Sequence, residues 1–302
     1  MSSISAKSIA KGIRDVEWFN HTATTCMRAL LNATGIRGEG LIRRFRRVGI
    51  ARYKLPNGRV MCLRCYPDDG ISNPLWWRGW SSYEPETAAL FFQLASRAQL
   101  TIDIGAYIGY YALLAAHANP GGRVFAFEPV PSVFDRLHGN VDLNGLETLE
   151  CICSAVGETE GMVEFFSSKE FPTISGFSSE FVHSWGEARR TRVPVLTIDR
   201  FVEQKNIGRV DLVKLDTETS EPEVLRGMIR VLERDRPAIV CEVHPGGGTE
   251  DSLQGLIGPL GYNYYLLTSS GPIKQDRIQG HSIWSNYLFM NRESEGLLRD
   301  IR

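Results

Sequence analysis

The sequence predicts a doubly wound α/β fold, a mostly parallel sheet covered by helices, and two observations predict it. From about residue 86 onward, short apolar runs alternate with stretches of helical periodicity, the pattern of strands joined by helical crossovers. One run, Leu100-Thr-Ile-Asp103-Ile, passes into a glycine turn and then a helix, the unit that opens a ligand-binding βαβ arrangement. A chain of 302 residues, 43% hydrophobic and 23% charged, is long enough to bury such a core and carry a smaller appendage.

Strands are expected at 100–104, 123–127, 148–153, 210–215 and 238–243. Helices are expected at 84–97, 107–118, 131–144, 221–233 and 249–260. Two more strands, 262–267 and 284–290, close the chain with a Gly/Ser/Pro-containing loop between them, so a hairpin ends the sheet and brings it to seven strands. An insertion at about 160–200 holds Phe165, Phe166, Phe171, Phe177, Phe181 and Trp185 among Ser and Gly. It reads equally as a lid or substrate wall and as a β-rich excursion packing its own aromatics.

Residues 1–79 read as a separate α+β extension, with the main domain at 80–302. Ile13, Val16, Phe19, Met27, Leu30 and Leu31 recur at loosely helical intervals, and Gly35 stops them. The basic run Arg43-Arg-Phe-Arg-Arg47 follows, then two β-like runs joined by Pro56-Asn57-Gly58, where Asn-Gly suits the positive φ angles of a hairpin turn.

The net charge of −1 argues against nucleic-acid binding, but the charge is uneven. Residues 1–60 carry 12 Lys/Arg against 3 Asp/Glu, and the remainder carries 22 against 32. The basic N-terminus could make peripheral contact with an anionic surface, although a solvated helix face is the commoner reason for such a run. No apolar run reaches the roughly 20 residues of a membrane span, and no signal peptide is evident, so a cytoplasmic protein is expected. Six scattered cysteines fit a reducing compartment, and the Cys62/Cys65 pair lacks a second pair of soft ligands, so no metal is expected.

Three motifs carry chemistry. Asp103-Ile-Gly105-Ala106-Tyr107-Ile-Gly109 has an acidic residue where a dinucleotide fingerprint has its first glycine, which suits a cofactor bearing an amino group and a positive charge better than a pyrophosphate. Phe127-Glu128-Pro129 puts a carboxylate at the end of the next strand, 19 residues after Gly109, where it can accept two ribose hydroxyls. Lys214-Leu-Asp216-Thr-Glu218 and Cys241-Glu242-Val-His244-Pro245 end the next two strands, and ligands of open α/β sheets bind beyond such strand ends.

Taken with Asn140, Asn144, Val195-Leu-Thr-Ile-Asp199, Leu225-Arg-Gly227 and the upstream Trp80-Ser-Ser-Tyr83-Glu84-Pro85-Glu86, these motifs make residues 80–292 resemble the FkbM family of methyltransferases. The resemblance implies a class I, Rossmann-like α/β fold whose seven-stranded sheet ends in an antiparallel hairpin, an arrangement most dehydrogenases lack. It also implies S-adenosyl-L-methionine as cofactor and a small-molecule or glycosylated acceptor: a hydroxyl on a sugar, glycolipid or polyketide-type metabolite. Asp103, Gly105, Ala106, Tyr107 and Gly109 would cradle the methionine part, with Asp216 beside it, Glu128 would hold the ribose, and Ser154 and Ala155 the adenine edge. The chain departs from the family where Tyr107 replaces Asn and Thr219 replaces Gly.

Removing a hydroxyl proton needs a base. His244 is expected to supply it through an ordinary imidazole pKa near 6.5, with Asp216 or Glu218 orienting it or acting in its place. A nicotinamide-dependent oxidoreductase and a non-catalytic binding protein are the alternatives. The glycine spacing counts against the first, and cofactor binding without transfer would mark the second. Asp216, Glu218 and His244 lack a convincing metal-ligand spacing.

Overall fold

The computed structural model describes residues 16–34, 42, 45–168, 175–176, 187–246 and 248–292. Expectations placed on Ile13, Gly35, Arg43, Arg44, Phe171, Phe177, Phe181 and Trp185 lie outside them. The chain divides into two compact units, Met1–Tyr83 and Glu84–Arg302.

In the first unit, helix α1 (Glu17–Thr34) is followed by an antiparallel hairpin of β1 (Gly49–Lys54) and β2 (Val60–Cys65), then helix α2 (Ser72–Arg78). The hairpin turn differs in detail from expectation. Gly58 alone takes a positive φ, 83°, and Gly58 N and Leu55 N donate to Leu55 O and Arg59 O, so one glycine lets three residues close the loop. Asn20 ties α1 to the following segment, its Nδ2 donating to Arg46 O and its Oδ1 accepting from Val48 N, each at 2.8 Å. The buried Asp69 carboxylate starts α2 by accepting from Ile71 N, Ser72 N and Ser72 Oγ. Cys62 and Cys65, three apart on β2, point to opposite faces of the hairpin and cannot share a ligand.

The second unit opens with α3 (Pro85–Ala95), β3 (Leu100–Ile104), α4 (Tyr110–Ala118), β4 (Arg123–Phe127), α5 (Pro131–Asn144) and β5 (Leu149–Ile152). The former insertion follows as β6 (Ala155–Val156), β7 (Gly161–Ser168), β8 (Ser175–Gly176) and β9 (Ala188–Leu196). Then come α6 (Ile198–Gln204), β10 (Leu212–Leu215), α7 (Glu221–Arg226), α8 (Ile229–Asp235), β11 (Ala238–Glu242), α9 (Thr249–Ile257), β12 (Tyr262–Thr268), β13 (Gly271–Gln275) and β14 (Asn286–Asn291).

The main sheet runs β13-β12-β14-β11-β10-β3-β4-β5, parallel from β11 to β5 and antiparallel at β14, β12 and β13. Strands β3 and β10 are buried along their whole length, as helices on both faces of a parallel sheet require. The chain winds outward from β3 through β4 to β5 and then returns to β10, so the winding reverses between β3 and β10 and opens a crevice at their carboxyl ends.

The closing strands β12 and β14 pair antiparallel as expected, with β14 lying between β12 and β11. Two details depart from the sequence reading. An eighth strand, β13, pairs with β12 through a two-residue turn; its Pro272 and Lys274 sit on the exposed outer edge, where they discourage further strand pairing. The single helix expected at 221–233 breaks at Gly227, whose missing side chain lets Gly157 O approach to 2.0 Å of where a Cβ would stand.

Strands β6, β9, β7 and β8 form a separate four-stranded sheet. Its Phe165 and Val193 pack with Val130, Val133 and Ala155, and Tyr107 lies against this cluster. Among the described residues, no helix is long and apolar enough to cross a membrane.

Candidate active site

The β3–α4 loop is shaped by close approach. Gly105 has φ 82°, and a Cβ there would stand 1.7 Å from Asp216 O, so only glycine lets this loop touch the one after β10. Gly105 N and Ala106 N donate to Phe127 O at 3.0 and 2.9 Å, and Gly109, φ 89°, caps α4. Tyr107 sits at φ 50°, a left-handed conformation that an Asn adopts with less strain.

Two buried carboxylates flank the loop. Asp103 is 1% exposed, and its Oδ2 has no hydrogen-bond partner. Burial, more than its neighbour Asp216, lifts its pKa to about 7, although Lys214 pulls the other way. Glu128 braces the loop, with Oε2 accepting from Tyr107 N at 3.1 Å and Oε1 from Val130 N at 2.8 Å; burial raises its pKa to about 8. Each oxygen retains acceptor capacity for a further donor. Ser154, expected at a nucleobase edge, directs its hydroxyl donor to Ala155 O at 2.8 Å and Pro194 O at 2.9 Å, which leaves the hydroxyl oxygen able to act toward a base only as an acceptor.

Beyond β10 and β11 a charged chain runs from the core outward. Lys214 is fully buried; its Nζ donates to Asp216 Oδ2 at 2.9 Å and Asn286 Oδ1 at 3.4 Å and lies 5.0 Å from the Tyr111 ring centre. Tyr111 OH in turn donates to Glu84 Oε2 at 2.5 Å. Desolvation disfavours both charges of the Lys214–Asp216 pair, but their attraction keeps Lys214 protonated and Asp216 ionised. Asp216 also accepts from the Glu242 carboxyl, whose pKa burial raises to about 8.

His244 Nε2 stands 3.1 Å from Glu242 Oε2 and 3.4 Å from Glu218 Oε2, with its N–H aligned on neither oxygen. Glu218 first, and then Glu242, raise its pKa to about 11, so His244 is an imidazolium at neutral pH and not the free base expected from an ordinary imidazole. Asp216, tied to Lys214, is likewise a weak base. Glu218, raised by burial, keeps 21% of its side chain exposed. One ligand atom each of Glu218, Glu242 and His244 lies within 4.8 Å of the others, a spacing a divalent cation could also use.

The loop carrying Glu218 is strained. Glu218 and Thr219 have φ 54° and 83°, and Thr219 occupies a conformation that favours glycine. Glu221 holds the loop there, its Oε1 accepting from Thr217 N, Thr217 Oγ1 and Thr219 N.

The family model described as the methyltransferase FkbM domain matches residues 103–264, more than half of the chain. The chain belongs to the FkbM methyltransferase family. Within it, the chain is 27% identical over 168 residues to the hexuronic acid methyltransferase AglP of Haloferax volcanii, a match covering 56% of this chain and 65% of that protein. It is 25% identical over 202 residues to the 31-O-demethyl-FK506 methyltransferase FkbM of Streptomyces tacrolimicus, covering 58% and 75%. Among solved structures, the FkbM methyltransferase of Methylobacillus flagellatus KT is similar at 17% identity and a TM-score of 0.44, covering 64% of this chain and 43% of that one. The chain thus spans just under two thirds of the first relative's length and less than half of the solved chain's.

In this FkbM-family chain the crevice gathers Asp103, Gly105, Ala106, Tyr107, Asp216, Glu218 and His244 as expected candidates, and adds Lys214, Glu242, Glu84, Tyr111 and Glu221. Lys214 was marked in the sequence only as a charge inside the apolar run Leu212-Val-Lys-Leu215, the pattern of a cation that must be paired.

Proposed function

We propose that this chain transfers a methyl group from S-adenosyl-L-methionine to a hydroxyl oxygen of a small or glycosylated metabolite of the sugar, glycolipid or polyketide type. The observation that carries the reading is the unmatched, buried Asp103 Oδ2 beside the glycine loop, an acceptor with no donor in a crevice that also holds a base. The cofactor, when bound, supplies an electrophilic methyl on a sulfonium. Asp103 and the backbone of Gly105, Ala106, Tyr107 and Gly109 hold its amino-acid part, with Asp216 close by; Glu128 accepts from the ribose hydroxyls, and Ser154 and Ala155 border the base. The two relatives, a hexuronic acid methyltransferase and a 31-O-demethyl-FK506 methyltransferase, support a sugar-type acceptor in the one case and an oxygen acceptor in the other.

With the cofactor bound to supply the methyl group, Glu218 would take the proton from the acceptor hydroxyl. Its raised pKa makes it a stronger base than a free carboxylate, and imidazolium His244 beside it stabilises the carboxylate before transfer and fixes its position. Alignment of oxygen, carbon and sulfur supplies most of the rate.

Calorimetric titration with S-adenosylhomocysteine tests cofactor use. Saturable binding that Glu128→Ala abolishes supports it, whereas binding of NAD in its place would overturn it. Glu218→Gln is expected to lower kcat by about 100-fold or more while leaving S-adenosylhomocysteine affinity unchanged. Should chelation with EDTA abolish turnover and added magnesium restore it, Glu218, Glu242 and His244 would be a cation site and not a proton-handling group.

A further inference from the structure

A second site lies in the N-terminal unit and is independent of the methyl-transfer reading. A cleft of about 1030 Å³ is walled by α1, β1 and α2, with Arg28, Arg47, Arg52, His21, Trp76 and Glu17 on its lining. Arg47 is 1% exposed and Trp76 8%. The Arg28 and Arg47 guanidinium carbons lie 4.8 and 4.5 Å from the Trp76 ring centre, so two cations share one aromatic ring.

The donors in this cleft outnumber their acceptors. Arg47 Nη1 donates to Thr24 Oγ1 at 3.3 Å, and Nη2 donates to Ile50 O at 3.0 Å and meets His21 Nδ1. Its buried Nε has no partner, and neither does the buried indole Nε1 of Trp76. Among the described residues, no carboxylate forms an ion pair with Arg47. The cleft's own acid, Glu17, is 59% exposed and reaches Arg64 at 4.0 Å. A buried guanidinium and a buried indole, each with a donor unspent, are costly unless an acceptor arrives from outside.

We infer that this cleft is a binding site for a phosphate monoester group, with the lining guanidinium groups of Arg28 and Arg52 donating to its oxygens and the enclosed N–H groups of Arg47 Nε and Trp76 Nε1 turning to it as it enters. Three forked cations lining one cleft, two of them on a single aromatic ring, suit a dianion with three acceptor oxygens better than a single carboxylate. The cleft is far larger than an inorganic ion needs and is of the size that holds a small organic molecule, so the phosphate belongs to a larger body. Such a group is carried by a soluble sugar phosphate or by a phospholipid headgroup.

The test titrates the full chain with glucose 1-phosphate and, separately, with phosphatidylcholine vesicles containing phosphatidic acid, following calorimetry and tryptophan fluorescence. Saturable binding of the sugar phosphate identifies a soluble ligand, and binding of the vesicles alone identifies a headgroup. Trp76→Phe, which keeps the ring and removes the N–H, is expected to weaken binding about tenfold. Arg28→Gln combined with Arg52→Gln, which spares the buried Arg47, is expected to abolish it. Circular dichroism and the thermal midpoint serve as folding controls and stay close to those of the native chain in both variants. The proposal is overturned if neither probe binds, or if binding persists undiminished in Trp76→Phe and in the double arginine variant.

Discussion

Each unit of this protein buries a cation completely, and the two are treated in opposite ways. Lys214 finds a carboxylate, an amide oxygen and an aromatic face inside its own unit. Arg47 finds a hydroxyl, a carbonyl, an imidazole and an aromatic face, but among the described residues no carboxylate ion pair and no partner for its Nε–H. A buried charge with its counter-charge in place is compensated within the fold, whereas one without it keeps an uncompensated desolvation cost.

The sharpest way to break this contrast is to remove each cation. Lys214→Met leaves the Asp216 carboxylate, 24% exposed at its side chain, beside Glu84 and Glu242 with no cation, and is expected to lower stability by about 3 kcal/mol in denaturant unfolding. Arg47→Met loses hydrogen bonds but strands no carboxylate, and is expected to cost about 2 kcal/mol or less in the same experiment. Equal losses would mean that Arg47 is as fully compensated as Lys214.

The strained loop of the second unit offers a change in the opposite direction. Thr219→Gly places glycine where φ is 83° and is expected to raise stability by about 1 kcal/mol, read as a higher thermal midpoint. A lower midpoint would show that Thr219 makes a contact worth more than its strain.

The smallest expected effect is a pH slope. Folding raises the His244 pKa from 6.5 to about 11, so its contribution is fully present below pH 6.5 and is lost as pH rises through about 11. The difference in thermal midpoint between the native chain and His244→Gln should therefore shrink across that range. A difference that does not vary with pH would mean that Glu218 and Glu242 do not hold the imidazolium.

The central strands were legible because continuous apolar runs between helical stretches have one interpretation, and β3, β4 and β12 begin where the sequence placed them. Strand β13 was hidden because Gly271-Pro-Ile-Lys-Gln275 lies on an exposed edge and shows no apolar alternation. Helix α6 is only seven residues long, and its signal was a single cap, Thr197 Oγ1 accepting from Arg200 N. Within the crevice, residue types and strand ends could be read, but protonation states could not. The charge on His244 depends on Glu218 and Glu242 arriving from two strand ends, and Lys214 depends on Asn286, 72 residues away.

The contact of Gly105 with Asp216 O has a consequence for how this enzyme family can vary. On the proposed function, the loop that would hold the donor and the loop that would handle the proton are fitted back to back with no side chain between Gly105 and Asp216 O. A substitution at Gly105 would displace both together, so loss of cofactor affinity and loss of turnover should appear as one phenotype there.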